Sequence, residues 1–238
     1  MEELTTIIKD SQLIMMNTDG FEIKIPRTEE SKYKEICNKW CQLTKLELEF
    51  VDYQKMIISD VNNYIAVDTK GKSKSKGKYE FKDIPLHKNK SHNIIPLAVY
   101  EYWVNNKSVE ETIRNHQNIF DFCAGVRARK AEKKGNSWFE LHSIEGSNLK
   151  RKKLSKTVRY YVSNKGEYLI KLYENGDKSQ VEAPLKNGNM FKEWRVTYFN
   201  KYIKKDIQDY DINFKFYEIQ AREWISDIEQ KQQYKIEF

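Results

Sequence analysis

Ser11–Glu22 reads SQLIMMNTDGFE. An apolar run, Leu13-Ile14-Met15-Met16, gives way to Asn17-Thr18-Asp19-Gly20. Phe21-Glu22-Ile23-Lys24-Ile25 then alternates apolar and polar. This pattern predicts two strands joined by a tight turn. Asp19 falls at the tip, where a carboxylate can reach solvent, a metal or a phosphate. Gly20 can take a positive φ that a side chain would resist. The same spacing also suits an ordinary Asp-Gly hairpin turn.

Outward from the hairpin, Leu4, Ile7 and Ile8 recur at helical spacing in a segment too brief to hold a helix alone. Pro26 ends the second strand, and Thr28 with Glu29, Glu30 and Ser31 forms a helix start. Between Ser31 and Lys45, residues Tyr33, Ile36, Cys37, Trp40, Leu43 and Thr44 share one face. Leu46–Val51 alternates, Lys55–Ile58 and Asn63–Val67 read as strands, and Asp60–Asn63 is the turn between the last two. The first eighty residues therefore predict an α+β domain with a largely antiparallel sheet and a helix.

Lysines then fall at Lys70, Lys72, Lys74, Lys76 and Lys78, with Gly71, Ser73, Ser75 and Gly77 between them. In an extended chain a period of two puts all five ammonium groups on one side. Such a comb can lie along a phosphate backbone, and it equally suits a solvated lysine loop. The chain as a whole carries 42 Lys and Arg against 35 Asp and Glu, a formal charge of +7 over 238 residues. That excess makes phosphate or nucleic acid a natural partner. Fifteen Tyr, eleven Phe and five Trp supply core, and can also stack on bases.

Beyond Pro85 the character changes, and His87–His92 is polar and loop-like. Pro96 opens a helix through Val104, and Ser108 caps a second. Val109, Ile113, His116, Phe120 and Cys123 make one helical stripe ending near Gly125, with His116 a packed or flanking residue. Arg127, Arg129, Lys130, Lys133 and Lys134 form one basic cluster, and Lys150, Arg151, Lys152, Lys153 and Lys156 a second. Trp138–Leu141, Arg159–Val162 and Tyr168–Tyr173 read as strands, with turns at Asn164–Gly166, Asn175-Gly176 and Asn187-Gly188. Phe214–Glu229 is a helix with Tyr217, Ala221, Trp224, Ile225 and Ile228 on one face. The boundary near Pro85–Pro96 divides the chain into residues 1–95 and 96–238.

Cys37, Cys41 and Cys123 make neither a CxxC pair nor a disulfide framework, which predicts reduced thiols and a cytoplasmic setting. No apolar run approaches the ~20 residues that span a bilayer. The first residues lack a basic start followed by an apolar core, so no signal peptide is expected. P-loop, GxGxxG, HExxH and nucleophile-elbow motifs are absent.

Several of these segments, in this order, resemble the C-terminal part of a family B DNA polymerase of phage or viral type. Asn17-Thr18-Asp19-Gly20 resembles the family's palm hairpin, Asp-Thr-Asp-Ser/Gly. Asp60–Val67 followed by Lys70–Gly77 resembles its Lys/Arg-Tyr segment and the Gly-Lys-x-Lys run after it. Asn213–Ile219 resembles its closing thumb segment. The resemblance implies a partial palm over residues 1–95 and a mixed, mainly helical thumb-like region over 96–238.

It also implies two-metal nucleotidyl transfer, in which two divalent ions about 3.5–4 Å apart activate the primer hydroxyl and steady the leaving pyrophosphate. Asp19 would be the catalytic metal ligand for Mg2+, with Asn17 where the family has a further Asp. Asn62, Asn63 and Tyr64 would meet the primer strand. Lys70, Lys72, Lys74, Lys76 and Lys78 would hold backbone phosphates, and Arg127, Arg129 and Lys150–Lys153 would line the duplex. The family's upstream aspartate and its nucleotide-binding helix have no counterpart between Met1 and Ser11. The resemblance therefore implies a chain inactive alone, completed by an N-terminal polymerase fragment and acting on primer-template DNA and a deoxynucleoside triphosphate in the host cytoplasm. The charge pattern alone fits a non-catalytic nucleic-acid-binding protein.

Overall fold

A computed structural model of the chain describes residues 2–18, 20–84, 92–128, 139–145, 150–182, 194–198 and 204–233. It is a mixed α+β fold of two compact units, Met1–Gly77 and Lys78–Phe238. The division falls earlier in the chain than the expected 95/96 boundary. Among the described residues no helix is long and apolar enough to cross a membrane.

In the first unit, helix α1 (Glu2–Ile7) leads into strands β1 (Gln12–Met16) and β2 (Phe21–Lys24), paired antiparallel with Met16 opposite Phe21. Helix α2 (Glu30–Thr44) follows a short 3-10 turn and ends where Lys45 adopts a left-handed φ of 63° and donates its N–H to the Cys41 carbonyl. The alternation of Leu46–Val51 predicts a strand, but no strand forms there. A period-two pattern needs a ladder partner to become a strand. Leu46, Phe50 and Val51 instead stay exposed. Strands β3 (Tyr53–Asp60), β4 (Asn63–Asp68) and β5 (Ser73–Lys76) make an antiparallel sheet in the order β3-β4-β5. Its one face carries Met56, Ile58, Tyr64 and Ala66, on which Met15 and Ile14 of β1 pack.

The second unit combines helices and strands more evenly than a mainly helical region would. Helix α3 (Ile94–Asn105) takes Pro96 in its first turn, where a missing N–H costs nothing. Helix α4 (Val109–Asn115) is capped by Ser108, whose Oγ accepts the Glu111 N–H at 3.1 Å. The single stripe expected from Val109 to Cys123 is broken. His116 is extended, Asn118 Oδ1 accepts the Phe120 N–H to start helix α5 (Ile119–Phe122), and Cys123 begins a strand. His116 is half-buried and bonded to Asp121 at 2.7 Å.

Strand β6 (Cys123–Arg127) is followed by β7 (Phe139–Ile144), β8 (Arg151–Lys153), β9 (Thr157–Ser163), β10 (Tyr168–Tyr173), β11 (Lys178–Gln180) and β12 (Arg195–Tyr198). They form two antiparallel sheets, β12-β9-β6 and β11-β10-β7-β8. The turn between β9 and β10 runs hard against β12: a Cβ on Gly166 would lie 2.0 Å from the Val196 carbonyl oxygen. Helix α6 (Phe214–Gln233) packs on α3 and α4 and buries Tyr217, Ala221, Ile225 and Ile228. The Tyr217 hydroxyl accepts the Val162 N–H and donates to the Phe122 carbonyl, both at 2.8 Å. One side chain thereby joins α6, β9 and α5. The expected turn at Asn187-Gly188, Trp138 and the basic residues Lys130, Lys133 and Lys134 lie outside the described residues.

Candidate nucleic-acid interface

The β1–β2 hairpin closes through the Asn17 N–H to the Gly20 carbonyl and the Gly20 N–H to Asn17 Oδ1, both 2.9 Å. The Asn17 amide oxygen is thus turned inward on its own loop. Asp19 lies outside the described residues. Among the described residues no group of three His, Cys, Asp or Glu side chains could hold a metal ion.

What the hairpin carries is set by the sheet beneath it. Tyr64 pairs with Lys76 and Ala66 with Lys74, so each pair points to one face. Met15 packs against Tyr64 and Ala66 on that face. The exposed Lys74 and Lys76 therefore stand beside the surface that the hairpin covers. Glu22, paired with Met15, belongs to the same junction. Burial raises its carboxyl above the usual range, and the charge of Lys74 works against that rise. Glu22 is not among the expected site residues, although the alternation of Phe21–Ile25 places it on a strand.

The comb of five lysines is broken by local geometry. Only Lys74 and Lys76 lie on β5. Lys70 and Lys72 sit in the β4–β5 turn, where Asp68 Oδ1 accepts both of their backbone N–H groups at 2.9 and 2.8 Å and Gly71 takes a φ of 80°. Lys78 belongs to the second unit, with its Nζ 5.1 Å from the ring centroids of both Tyr79 and Trp224. Its charge is stacked on aromatic faces.

The β3–β4 turn is drawn together by Asp60, whose carboxylate accepts the Asn62 N–H at 2.9 Å and the Asn63 side-chain amide at 2.8 Å. Asn62 is exposed and Asn63 half-buried at the tip. Tyr64 is 8% exposed with its ring in the apolar cluster, which gives it a packing role.

In the second unit, the exposed Arg127 ends β6 in one sheet, and Arg151–Lys153 form an exposed edge strand of the other. The two basic clusters thus belong to different sheets. Within β8, Arg151 and Lys153 share a face with Ile144 and His142, and Lys152 points the other way. Lys153 is ion-paired with Glu140, whose carboxyl the Lys153 and His142 contacts hold below its usual range. Lys150 is exposed just before the strand, and Arg129 lies outside the described residues. Arg151 and Lys178 line a cleft together with Leu172, Tyr173 and the carboxylates of Glu140 and Glu174.

No protein-family model matches the chain, and no curated protein matches it.

Proposed function

We propose that the chain is the C-terminal part of a family B DNA polymerase, the end of its palm and its thumb. It contributes one metal-binding hairpin and primer-template contacts to template-directed nucleotidyl transfer. The observation that supports this reading best is the packing of Met15 and Ile14, on the strand that leads into the Asn17–Gly20 turn, on the sheet face that bears Lys74 and Lys76. Cations at the border of such a hairpin are what the phosphates adjoining a primer terminus require.

In this reading Lys74 and Lys76 hold backbone phosphates and Asn62 and Asn63 offer hydrogen bonds to the primer strand. Asp19 is the residue assigned to Mg2+, and the remaining carboxylates, the fingers and the triphosphate site come from an N-terminal polymerase fragment. A surface for that fragment is suggested by the first unit. Among the described residues, the large apolar side chains that stand exposed, led by Leu43 at 83%, Leu46 at 58% and Met16 at 54%, all belong to it.

The test is primer extension by the chain mixed with the product of the adjoining upstream reading frame. Extension that disappears in Asp19→Ala supports the assignment. Extension indifferent to that change removes Asp19 from the reaction. DNA binding with no extension under any pairing leaves a non-catalytic binding protein.

A further inference from the structure

One end of the β11-β10-β7-β8 sheet carries a cleft of about 470 Å³. Sites for small ligands measure roughly 300–1,000 Å³. Its lining comes from all four strands and from the β10–β11 turn. Leu172 pairs with Lys178 on one side and with Glu140 on the other, so the three side chains stand in one row on one face. Arg151, opposite Ile144, is turned to that same face. Further along the strands the face is closed by the cluster of Ile144, Tyr168 and Ile170. It opens at the half-buried Leu172, which with Tyr173 gives the cleft its apolar part.

The turn at the rim is tied together. The Gly176 N–H donates to the Tyr173 carbonyl at 3.0 Å, and the Tyr173 N–H donates to the Asp177 carbonyl at 2.9 Å. The Asn175 side-chain amide donates to Asp177 Oδ2 at 2.7 Å, and the Tyr173 hydroxyl lies 3.2 Å from Ser179 Oγ. Glu174 is therefore carried on a fixed loop.

The charges of the cleft do not cancel. Glu140 is already engaged: the Lys153 ammonium donates to its Oε1, and His142 Nε2 lies 3.1 Å from its Oε2. Arg151, Lys178 and Glu174 are exposed and have no ion-pair partner among the described residues. Two cations and one carboxylate are thus left unmatched. The cations also come from opposite corners. Their strands, β8 and β11, are the outer ones of the sheet, three interstrand steps or roughly 14 Å apart. Ile144, the partner of Arg151, lies four residues beyond Glu140 on β7, which offsets Arg151 from the row of Lys178 by roughly 13 Å. A lone anionic group meets one of these cations. A ligand with an anionic group at each end meets both.

We propose that the cleft binds a small amino dicarboxylate, with one carboxylate on Arg151, the other on Lys178, the ammonium on Glu174 and the methylene stem on Leu172. Arg151 offers its carboxylate paired N–H donors, and Lys178 offers a compact charge. The stem removes the apolar surface of Leu172 from water. The site belongs to the second unit and does not rest on the polymerase reading. A phosphate of duplex DNA is the competing use of Arg151.

The experiment is calorimetric titration of the full chain with glutamate, glutarate and propionate, with the backbone amides of Gly176 and Lys178 followed by NMR. Glutamate is expected to bind saturably and more tightly than glutarate, which lacks the ammonium. Glutarate is expected to bind more tightly than propionate, which has a single carboxylate. Arg151→Ala and Lys178→Ala should each weaken glutamate about tenfold, the loss of one charge-assisted contact. Glu174→Gln should bring glutamate down to the affinity of glutarate. Lys165→Ala, on the β9–β10 turn, should leave it unchanged. Absence of saturable glutamate binding, propionate equal to glutarate, or indifference to the three cleft variants overturns the proposal. So do Gly176 and Lys178 amides that stay unshifted in the wild type, a readout that needs no variant to fold. A duplex oligonucleotide that takes the cleft in preference to glutamate, judged by the same two amides, overturns it as well and leaves Arg151 a phosphate contact. None of these readouts involves primer extension, so this site and the polymerase reading fail separately.

Discussion

Ala66 and Lys74 stand directly opposite one another on adjacent antiparallel strands, the first wholly buried and the second exposed. One register thus fixes both the floor beneath the β1–β2 hairpin and the cations at its border. A slip of one residue would turn Lys74 and Lys76 to the far side. The double variant Lys74→Ala/Lys76→Ala is therefore expected to weaken binding to primer-template DNA and to flatten its salt dependence. The slope of log K against log salt should shrink by roughly 0.9 for each phosphate no longer neutralised. Lys39→Ala on α2, whose ammonium pairs with Glu35, should leave that slope unchanged. Fluorescence anisotropy across a salt series measures both.

Gly77 closes β5 at a φ of 63°, and a Cβ there would lie 2.3 Å from both the Asn62 carbonyl oxygen and Asn63 Oδ1. Backbone strain and a collision with a backbone atom add together. Gly77→Ala should cost about 2–4 kcal/mol, combining left-handed strain with forced displacement of the β3–β4 turn. Gly176 has a φ of 87° but open space around its Cβ position. Gly176→Ala should cost only the strain, about 1–2 kcal/mol. Chemical denaturation of the two variants separates the contributions, and equal losses would contradict the close approach.

Much of the first unit is legible in the sequence because its signals are local. The hairpin, α2, β3 and β4 announce themselves by turn residues and by periods of 3.6 or two, and form where those patterns lie. The lysine comb misleads because a period of two describes a strand only while the backbone stays extended, and Asp68 with Gly71 bends it. The stripe from Val109 to Cys123 misleads for a similar reason: Asn118 restarts the helix out of phase, and Cys123 belongs to a sheet. The second unit is least legible. His92 Nε2 and Glu182 Oε1 meet at 3.1 Å although the residues are ninety positions apart in the chain, and nothing in the polar run His87–His92 announces a partner. Lys78 beside Tyr79 hints at stacking, but Trp224 enters only through the fold.

The Tyr217 hydroxyl is a buried junction with a donor and an acceptor role both filled. Tyr217→Phe keeps the ring and its edge packing with Phe122 and Phe216, and removes only the oxygen. Phe122's carbonyl retains the His92 ring as a partner, whereas the Val162 N–H is deprived of the bond that Tyr217 supplied. The expected destabilisation is about 1–3 kcal/mol, the cost of leaving a buried donor unmet. Amide hydrogen exchange at Val162 should accelerate beyond the global destabilisation. Exchange there that changes only in step with the rest of β9 would contradict the role given to this hydroxyl.

The three cysteines are free thiols in three settings. Cys123 is fully buried, its Sγ donates to the Ile119 carbonyl, and burial pushes the thiol up to about 12. Cys37 is 2% exposed on α2, and burial raises its thiol as well. Cys41, one turn further along α2, is only half-buried. Alkylation requires a thiolate and access to it. For Cys37 and Cys123 a raised value means the neutral thiol persists as pH rises through the range where an ordinary cysteine ionises, near 8.5. The folded chain treated with iodoacetamide near that pH should take up label at Cys41 first, with Cys37 and Cys123 modified only on unfolding. Mass spectrometry of the labelled peptides reads the order. Early labelling of Cys123 would mean that the junction of α5 and β6 opens far more readily than its burial allows.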